Sequence, residues 1–326
     1  MLRLCRRLPR WRSSALCVAG SCSTLALGLM TSACLKTAAT SPPRTLRVAS
    51  LSETNNHLVD VFRAGLPDLR VDVHKTNGSV DSVEAIQRGD ADVALAFADV
   101  VYLASVGRLN PNQQPFEHLR GIAVLQLTPI YVLVRGDSGI VDVPGLRGRR
   151  VGMSIPRGGV ARATQLVLNA FGVDRSEIHS ERVPTDELVP RLIDGTVDAV
   201  VVVAGDYPSD RVNAAIRAGA RVLPLAGPRV TKLRLEYPFF RPVVIPAVVE
   251  GSKPMMTIGL DRLLICRNDL DEDIVYRLTK TFFEALPDLS ASEPALRRMD
   301  VEEAPATPVT LHEGAGRYYR EREVFR

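Results

Sequence analysis

Apolar positions along the chain fall into short runs of two different periods, and the two kinds of run alternate. Leu46 to Ser50 reads as a strand, a polar loop covers 51–57, and Leu58, Val59, Val61 and Phe62 begin a helix that ends near Gly65. Leu69 to His74 is a second strand. A polar turn, Thr76-Asn77-Gly78-Ser79, then opens a helix with Val80, Val83 and Ile86 on its apolar face, and Gly89-Asp90 stops it before a third strand at Ala91 to Phe97. Alternation of this kind predicts a parallel sheet with crossover helices. A helix start with unpaired N–H groups and a Ser hydroxyl is where such a sheet exposes a site for an anionic group.

After Tyr102 a polar loop runs from Gly107 to Glu117, and two strands are predicted, Leu119 to Leu127 and Tyr131 to Arg135. A second alternating set follows. It comprises a strand at Val151 to Ile155, a loop at Pro156 to Val160, a helix from Ala161 to Phe171 closed by Gly172, a helix at Leu188 to Ile193, and a strand at Ala199 to Val203. Two echoes connect the sets. Leu133-Val134-Arg135-Gly136-Asp137 returns in outline as Ile265-Cys266-Arg267-Asn268-Asp269, and Gly89-Asp90-Ala91-Asp92 as Gly195-Thr196-Val197-Asp198. Either strand ends coincide by chance, or two units of similar plan are joined by two crossing strands.

Composition and charge narrow the function classes. The 326 residues are 46% apolar and 24% charged, enough for an ordinary core, and the length suggests two lobes. Aromatics are only 5%, and Val-rich runs suit buried parallel strands. The formal net charge of +4 is misleading, because Arg3, Arg6, Arg7, Arg10 and Arg12 precede any acid; without them the remainder carries −1. Nucleic-acid binding loses its electrostatic basis. That basic cluster, the apolar run Ala15 to Met30 and the small residues after it have the order of an export segment over 1–34, with a polar tether at 35–45. Thr31-Ser32-Ala33-Cys34 resembles a lipoprotein box, so Cys34 is a lipidation candidate beside a simple cleaved signal and an uncleaved anchor. Cys266, the one cysteine outside that segment, lies in an apolar run and reads as a buried, inert thiol. The five histidines have no paired spacing, so no metal and no cofactor is expected. Tyr237-Pro238-Phe239-Phe240 reads as core under a loop or as a contact for a membrane subunit.

An ordered set of short motifs carries a family resemblance. Thr76-Asn77-Gly78-Ser79-Val80, Ala98-Asp99-Val100, Leu133-Val134-Arg135-Gly136-Asp137, Asp194-Gly195-Thr196-Val197-Asp198-Ala199 and Leu311-His312-Glu313-Gly314-Ala315 stand in sequence from about Leu46 to the C-terminus. The chain resembles the TAXI-type solute-binding proteins of tripartite (TRAP) transporters. The resemblance implies an α/β, two-lobed type II periplasmic-binding-protein fold, each lobe a mainly parallel sheet flanked by helices, with two crossing hinge strands. Lobe one would be 46–132 with 265–326, and lobe two 133–264. It implies an exported, non-catalytic receptor that closes on a small anionic or zwitterionic solute and delivers it to membrane permease subunits. A ligand-sensing or degenerate binding protein on the same fold is the alternative.

Carried over by position, the ligand loops would include Thr76, Gly78, Ser79, Phe97, Asp99, Thr128, Pro129, Tyr131 and Gly205. For Thr76 to Ser79 and for Asp99, plain helix capping is the competing reading. Two loops depart from the family pattern: Ala49-Ser50-Leu51-Ser52 continuing to Asn55-Asn56-His57, and Pro156-Arg157-Gly158-Gly159-Val160-Ala161. Ligand identity is therefore expected to depend on Ser50, Ser52, Asn55 and His57 on one side, and on Arg157, Gly158, Gly159 and Arg162 on the other. An enzyme on this fold would need a nucleophile paired with a base, and the sequence offers no such pair.

Overall fold

The predicted strand–helix alternation closes into parallel ladders on either side of two long antiparallel strands. A computed structural model describes residues 44–50, 57–153, 159–204, 209–247 and 253–323, all within the compact unit 42–326. In the first half, β1 (Thr45–Ser50), α1 (His57–Gly65), β2 (Arg70–Lys75), α2 (Ser79–Arg88) and β3 (Val93–Phe97) follow one another as predicted, and a further helix, α3 (Ala98–Ser105), comes directly after β3. The long strand β4 (Leu119–Val134) leads to β5 (Arg150–Met153), α4 (Gly159–Ala170), β6 (His179–Arg182), α5 (Leu188–Ile193), β7 (Ala199–Val203) and α6 (Asp210–Arg217). The short strand β8 (Arg221–Leu223), α7 (Pro228–Glu236) and β9 (Phe240–Ile245) precede the second long strand, β10 (Met255–Arg267). Helices α8 (Glu272–Glu284), α9 (Leu286–Ser292) and α10 (Glu313–Glu321) complete the chain.

The sheet order is β2-β1-β3-β10-β4-β7-β5-β6, with β8 on β4 and β9 on β10. β1 runs parallel to β2 and β3, and β5 parallel to β6 and β7. β10 and β4 pair antiparallel to each other, and each is also antiparallel to its own half's third strand. One expectation is corrected: Leu119 to Leu127 and Tyr131 to Arg135 are one strand, not two. Proline within a strand argues for a break because it donates no ladder hydrogen bond. Here Pro129 sits opposite Gly259, where a Cβ would come within 2.8 Å of the Thr128 carbonyl, so the glycine lets β10 approach and the strand continue.

The halves repeat each other closely. In the first, Arg47 at the start of β1 donates from its backbone N–H and side chain to Asp92 (2.8 Å for each) and from Nη1 to the Gly89 carbonyl (2.6 Å). In the second, Arg150 at the start of β5 does the same to Asp198 (3.0 and 2.8 Å) and the Gly195 carbonyl (2.9 Å). Arg267, the last residue of β10, and Arg135, the residue after β4, each pair with the acid two residues on, Asp269 and Asp137. Their N–H groups close the cages on the carbonyls of Asp92 and Asp198. Gly89 and Gly195 have φ of 79° and 81°, and a Cβ on either would strike Arg267 Nη1 or Arg135 Nη1. The sequence echoes are thus a structural repeat. Applying its offset to the pairing of β10 with β4 exchanges Gly259–Pro129 with Asp261–Leu127 and returns Leu260–Thr128 to itself. The pseudo-twofold axis passes between Thr128 and Leu260.

One hydrophobic cluster spans both halves, joining Val83, Ile86 and Val101 to Ile130, Val132 and Val167. A second fills the space between β1, β10, α1, α8 and α10, where Tyr319 donates to the Ile122 carbonyl at 2.8 Å. Of the Tyr237 to Phe240 knot, Phe239 and Phe240 are core, while Tyr237 is half-buried and Pro238 exposed. Cys266 is fully buried, and burial pushes its thiol pKa up.

The cages predict a specific stability pattern. Asp92→Ala and Asp198→Ala should each cost about 2 kcal/mol, because each strands a backbone N–H and a guanidinium. The two sites share no partner, so the double variant should cost the sum within about 0.5 kcal/mol. Urea titration of the three variants checks this, and a loss confined to one half would contradict the repeat.

Candidate functional site

At the opposite end of the parallel strands, polar groups are left without partners. The carboxyl end of β3 pairs Phe97 with Arg262 of β10, Arg262 pairs with Gln126 of β4, and Ile130 of β4 pairs with Val203 at the end of β7. Ala204 then donates to the Pro129 carbonyl at 3.4 Å. The ends of strands from both halves therefore converge on residues 126–130. In open α/β sheets, ligands bind in the crevice at carboxyl ends where strand order reverses.

Five described residues carry buried side-chain atoms with no hydrogen-bond partner among the described residues. Gln113 lies in the loop after α3 and Ser209 just before α6, while Asp99 follows β3, Thr128 lies within 126–130 and Arg162 is in the first turn after β5. Asp99 opens α3 immediately after β3 and is 0% exposed, with both carboxylate oxygens unpartnered. Thr128 stands two residues before Ile130 and shares its face of β4, the face of the cluster that takes in α3 and α4. Arg162 is on the first turn of α4, with Nε unpartnered. Ser209 precedes α6 and makes no capping bond. Unpartnered buried polar groups are few in native proteins and costly. Such groups at the carboxyl ends of strands from both halves mark this edge of the sheet as the candidate ligand site.

Burial dominates at Asp99 and pushes its carboxyl up to about 7; the backbone N–H of Val100 and the charge of Arg162 pull it down only in part. Arg162 acts on Asp99 by its charge, but no hydrogen bond joins the two.

The other expected site residues divide. Ser79 Oγ accepts from the Phe97 N–H at 3.1 Å, and Thr76 and Ser82 share a hydroxyl hydrogen bond at 3.0 Å, so these hydroxyls are used to fix strand ends. Gly78 precedes α2 at φ 138°, and the Asn77 side chain donates to Asp81 at 2.7 Å. The Ser50 carbonyl accepts from the Thr76 N–H at 2.9 Å. His57 is exposed at the start of α1, Tyr131 is buried against the α5–α6 side, and Gly159 begins α4. Ser52, Asn55, Arg157, Gly158, Gly205 and Cys34 lie outside the described residues. Ser209 was missed by the sequence reading: a Ser before a helix signals a cap, and only the absent capping bond reveals it.

A pH experiment tests the Asp99 environment. Unfolded, this carboxyl releases its proton near pH ~4; folded, it holds it to about 7. Its contribution to stability is complete below the lower value and is lost as pH rises to the higher. Asp99→Asn, which cannot ionise, should match the parent's melting temperature near pH 4 and exceed it by several degrees at pH 8. An equal difference at both values would contradict the burial.

Comparison with known proteins follows this geometry. The protein XAC2383 from Xanthomonas citri, in a structure bound to ATP, is similar with a TM-score of 0.56 and 13% identity, covering 86% of this chain and 99% of that one. A protein from Bordetella bronchiseptica RB50 gives 0.52 at 14% identity, covering 86% and 98%. The periplasmic aliphatic sulphonate binding protein SsuA from Escherichia coli gives 0.45 at 12%, covering 87% and 95%. The likeness to the first two is one of fold, a mixed α/β chain whose central sheet is flanked by helices. Residues 61–322 match the profile of the NMT1-like family. That match takes in most of the sequence, and the chain belongs to the NMT1-like family.

Proposed function

We propose that the protein is an extracytoplasmic receptor that captures a small carboxylate-bearing solute, an amino acid or organic acid, and delivers it to a TRAP-type membrane transporter. The observation that carries this reading is the group of unpartnered polar atoms on Asp99, Thr128 and Arg162 beside the pseudo-twofold axis. The motifs from Thr76 to Ala315 that resemble the TAXI-type proteins support the transporter class. In this reading the lobes are 46–132 with 265–326 and 133–264, hinged on β4 and β10. A solute bridging α3 and α4 satisfies groups from both lobes at once, so it stabilises the closed state selectively, and membrane subunits recognise that state. Export through 1–34 and attachment through Cys34 would hold the receptor at the membrane. Arg157, Gly158 and Gly159, at and just before the start of α4, complete the second-lobe side.

The departure of the Ser50 to His57 and Pro156 to Ala161 loops from the family pattern favours a second reading, a ligand sensor for a membrane signalling partner. Both readings require binding. Neither uses catalysis: Cys266, the one cysteine among the described residues, is sealed in the core with a raised thiol pKa.

Thermal melting against acidic, neutral and basic amino acids, dicarboxylates and alkanesulfonates tests the reading. A true solute at a hundredfold its Kd stabilises by about 2.7 kcal/mol, which appears as a rise of several degrees. Failure of every compound to shift the transition would overturn the receptor reading. Co-purification with large multi-span permease subunits separates transport from sensing.

A further inference from the structure

The Tyr237 to Phe240 knot is only partly absorbed by the core, and its half-buried Tyr237 touches the other half of the chain. In the lobe division proposed above, the knot belongs to the second lobe, where it joins the end of α7 to the start of β9. It is a tied turn. The Tyr237 N–H donates to the Leu233 carbonyl (2.8 Å), the Phe240 N–H to the Tyr237 carbonyl (3.1 Å), and Arg234 Nε to the Phe240 carbonyl (3.2 Å). The first lobe meets it with the loop after α3, which is equally fixed. There the Arg108 N–H donates to the Leu103 carbonyl at 2.7 Å, and Gly107 has a φ of 70° where a Cβ would come within 2.8 Å of the Gln113 carbonyl.

Side chains alone connect these two turns; among the described residues no backbone hydrogen bond joins the knot to the first lobe. Arg108 Nη2 donates to the Tyr237 hydroxyl at 3.3 Å and approaches the Glu236 carboxylate at 3.9 Å, and its guanidinium lies over the Tyr237 ring, 5.3 Å from the centroid. Tyr102 of α3 meets Phe239 with ring centroids 5.6 Å apart. At the start of β9, Arg241 divides its guanidinium between Asp261 of β10 (3.4 Å) and Glu303 of the first lobe (3.6 Å). The stretch 236–241 therefore meets the first lobe at two charged points, Arg108 and Glu303. Half-exposed ion pairs and exposed cation–π contacts are individually weak, so a set of them biases an equilibrium without freezing it. A ladder such as β4 on β10 persists through a hinge movement, whereas contacts of this kind part.

We infer that the stretch 236–241 is an interlobe latch, held by Arg108 and Glu303 when the lobes are together and released when they separate. The inference rests on the two-lobed reading and adds a control on its closure. A held latch raises the closed fraction before any solute arrives, and apparent affinity for solute rises in proportion to that fraction.

Small-angle scattering of the full-length protein without added solute tests the latch, comparing the parent with Arg108→Gln, Glu303→Gln and the double variant. Both side chains are half-exposed, so the variants should fold, and their melting curves verify this. A compact chain of 326 residues has a radius of gyration of roughly 20 Å. The double variant should exceed the parent by about 1 Å as the lobes part, with the single variants between them. Equal radii in all four proteins overturn the latch, whatever becomes of the melting temperature. No solute enters the measurement, so equal radii leave the receptor reading intact, whereas a melting panel without a shift overturns that reading and not the latch.

Discussion

A parallel sheet of this size has to fix the amino ends of its strands without a covering helix, and the chain does so twice with the same charged cage. In each half an arginine at the start of the first strand grips an aspartate at the start of the third, through backbone and side chain together. A glycine in the left-handed region brings the preceding helix end close enough for its carbonyl to join. The aspartate carbonyl then ties in the long strand that leaves the half. A helix end, two parallel strands and a crossing strand are locked at one point. Arg150 holds the Asp198 carboxyl below its ordinary pKa, so this cage persists until the pH falls under the normal carboxylate range.

Satisfaction at that edge contrasts with its lack at the other. Every donor and acceptor in the cages has an answer, whereas Asp99, Thr128, Arg162 and Ser209 at the carboxyl ends have buried atoms with none among the described residues. Stability is concentrated where the fold is defined and withheld where strands from the two halves meet. A carboxyl held near 7 by burial is a cost to the folded state near neutral pH. The two sides carry different chemistry, a carboxylate on α3 after β3 and a guanidinium on α4 after β5.

The alternation of apolar runs was enough to read β1 to β3, α5 and β7 to within about two residues, with Asp90, Asp194 and Asp198 marking several of the boundaries. Of the strands missed, β6, His179 to Arg182, has no apolar residue, β8, Arg221 to Leu223, is three residues long, and β9 carries Pro242 within its apolar run. The join of two predicted strands into β4 rested on Gly259, more than a hundred residues away, which no local pattern shows. Both echoes were visible as letters, but the arginines that give them meaning, Arg47 and Arg150, were not, since each sits in an ordinary strand start. At the crevice the sequence pointed to Thr76, Ser79 and Asp99 alike. Only the hydrogen bonds separate hydroxyls already used to hold strand ends from a carboxylate left open.

The account turns on one crevice drawing on both halves, and hydrogen exchange with and without a binding solute tests that most directly. Solute should slow amide exchange together in the first turn of α3, in β4 around residues 128–131 and in the first turns of α4, while amides at Arg47, Asp92, Arg150 and Asp198 keep their rates. Protection confined to one half, or placed away from α3 and α4, would contradict it.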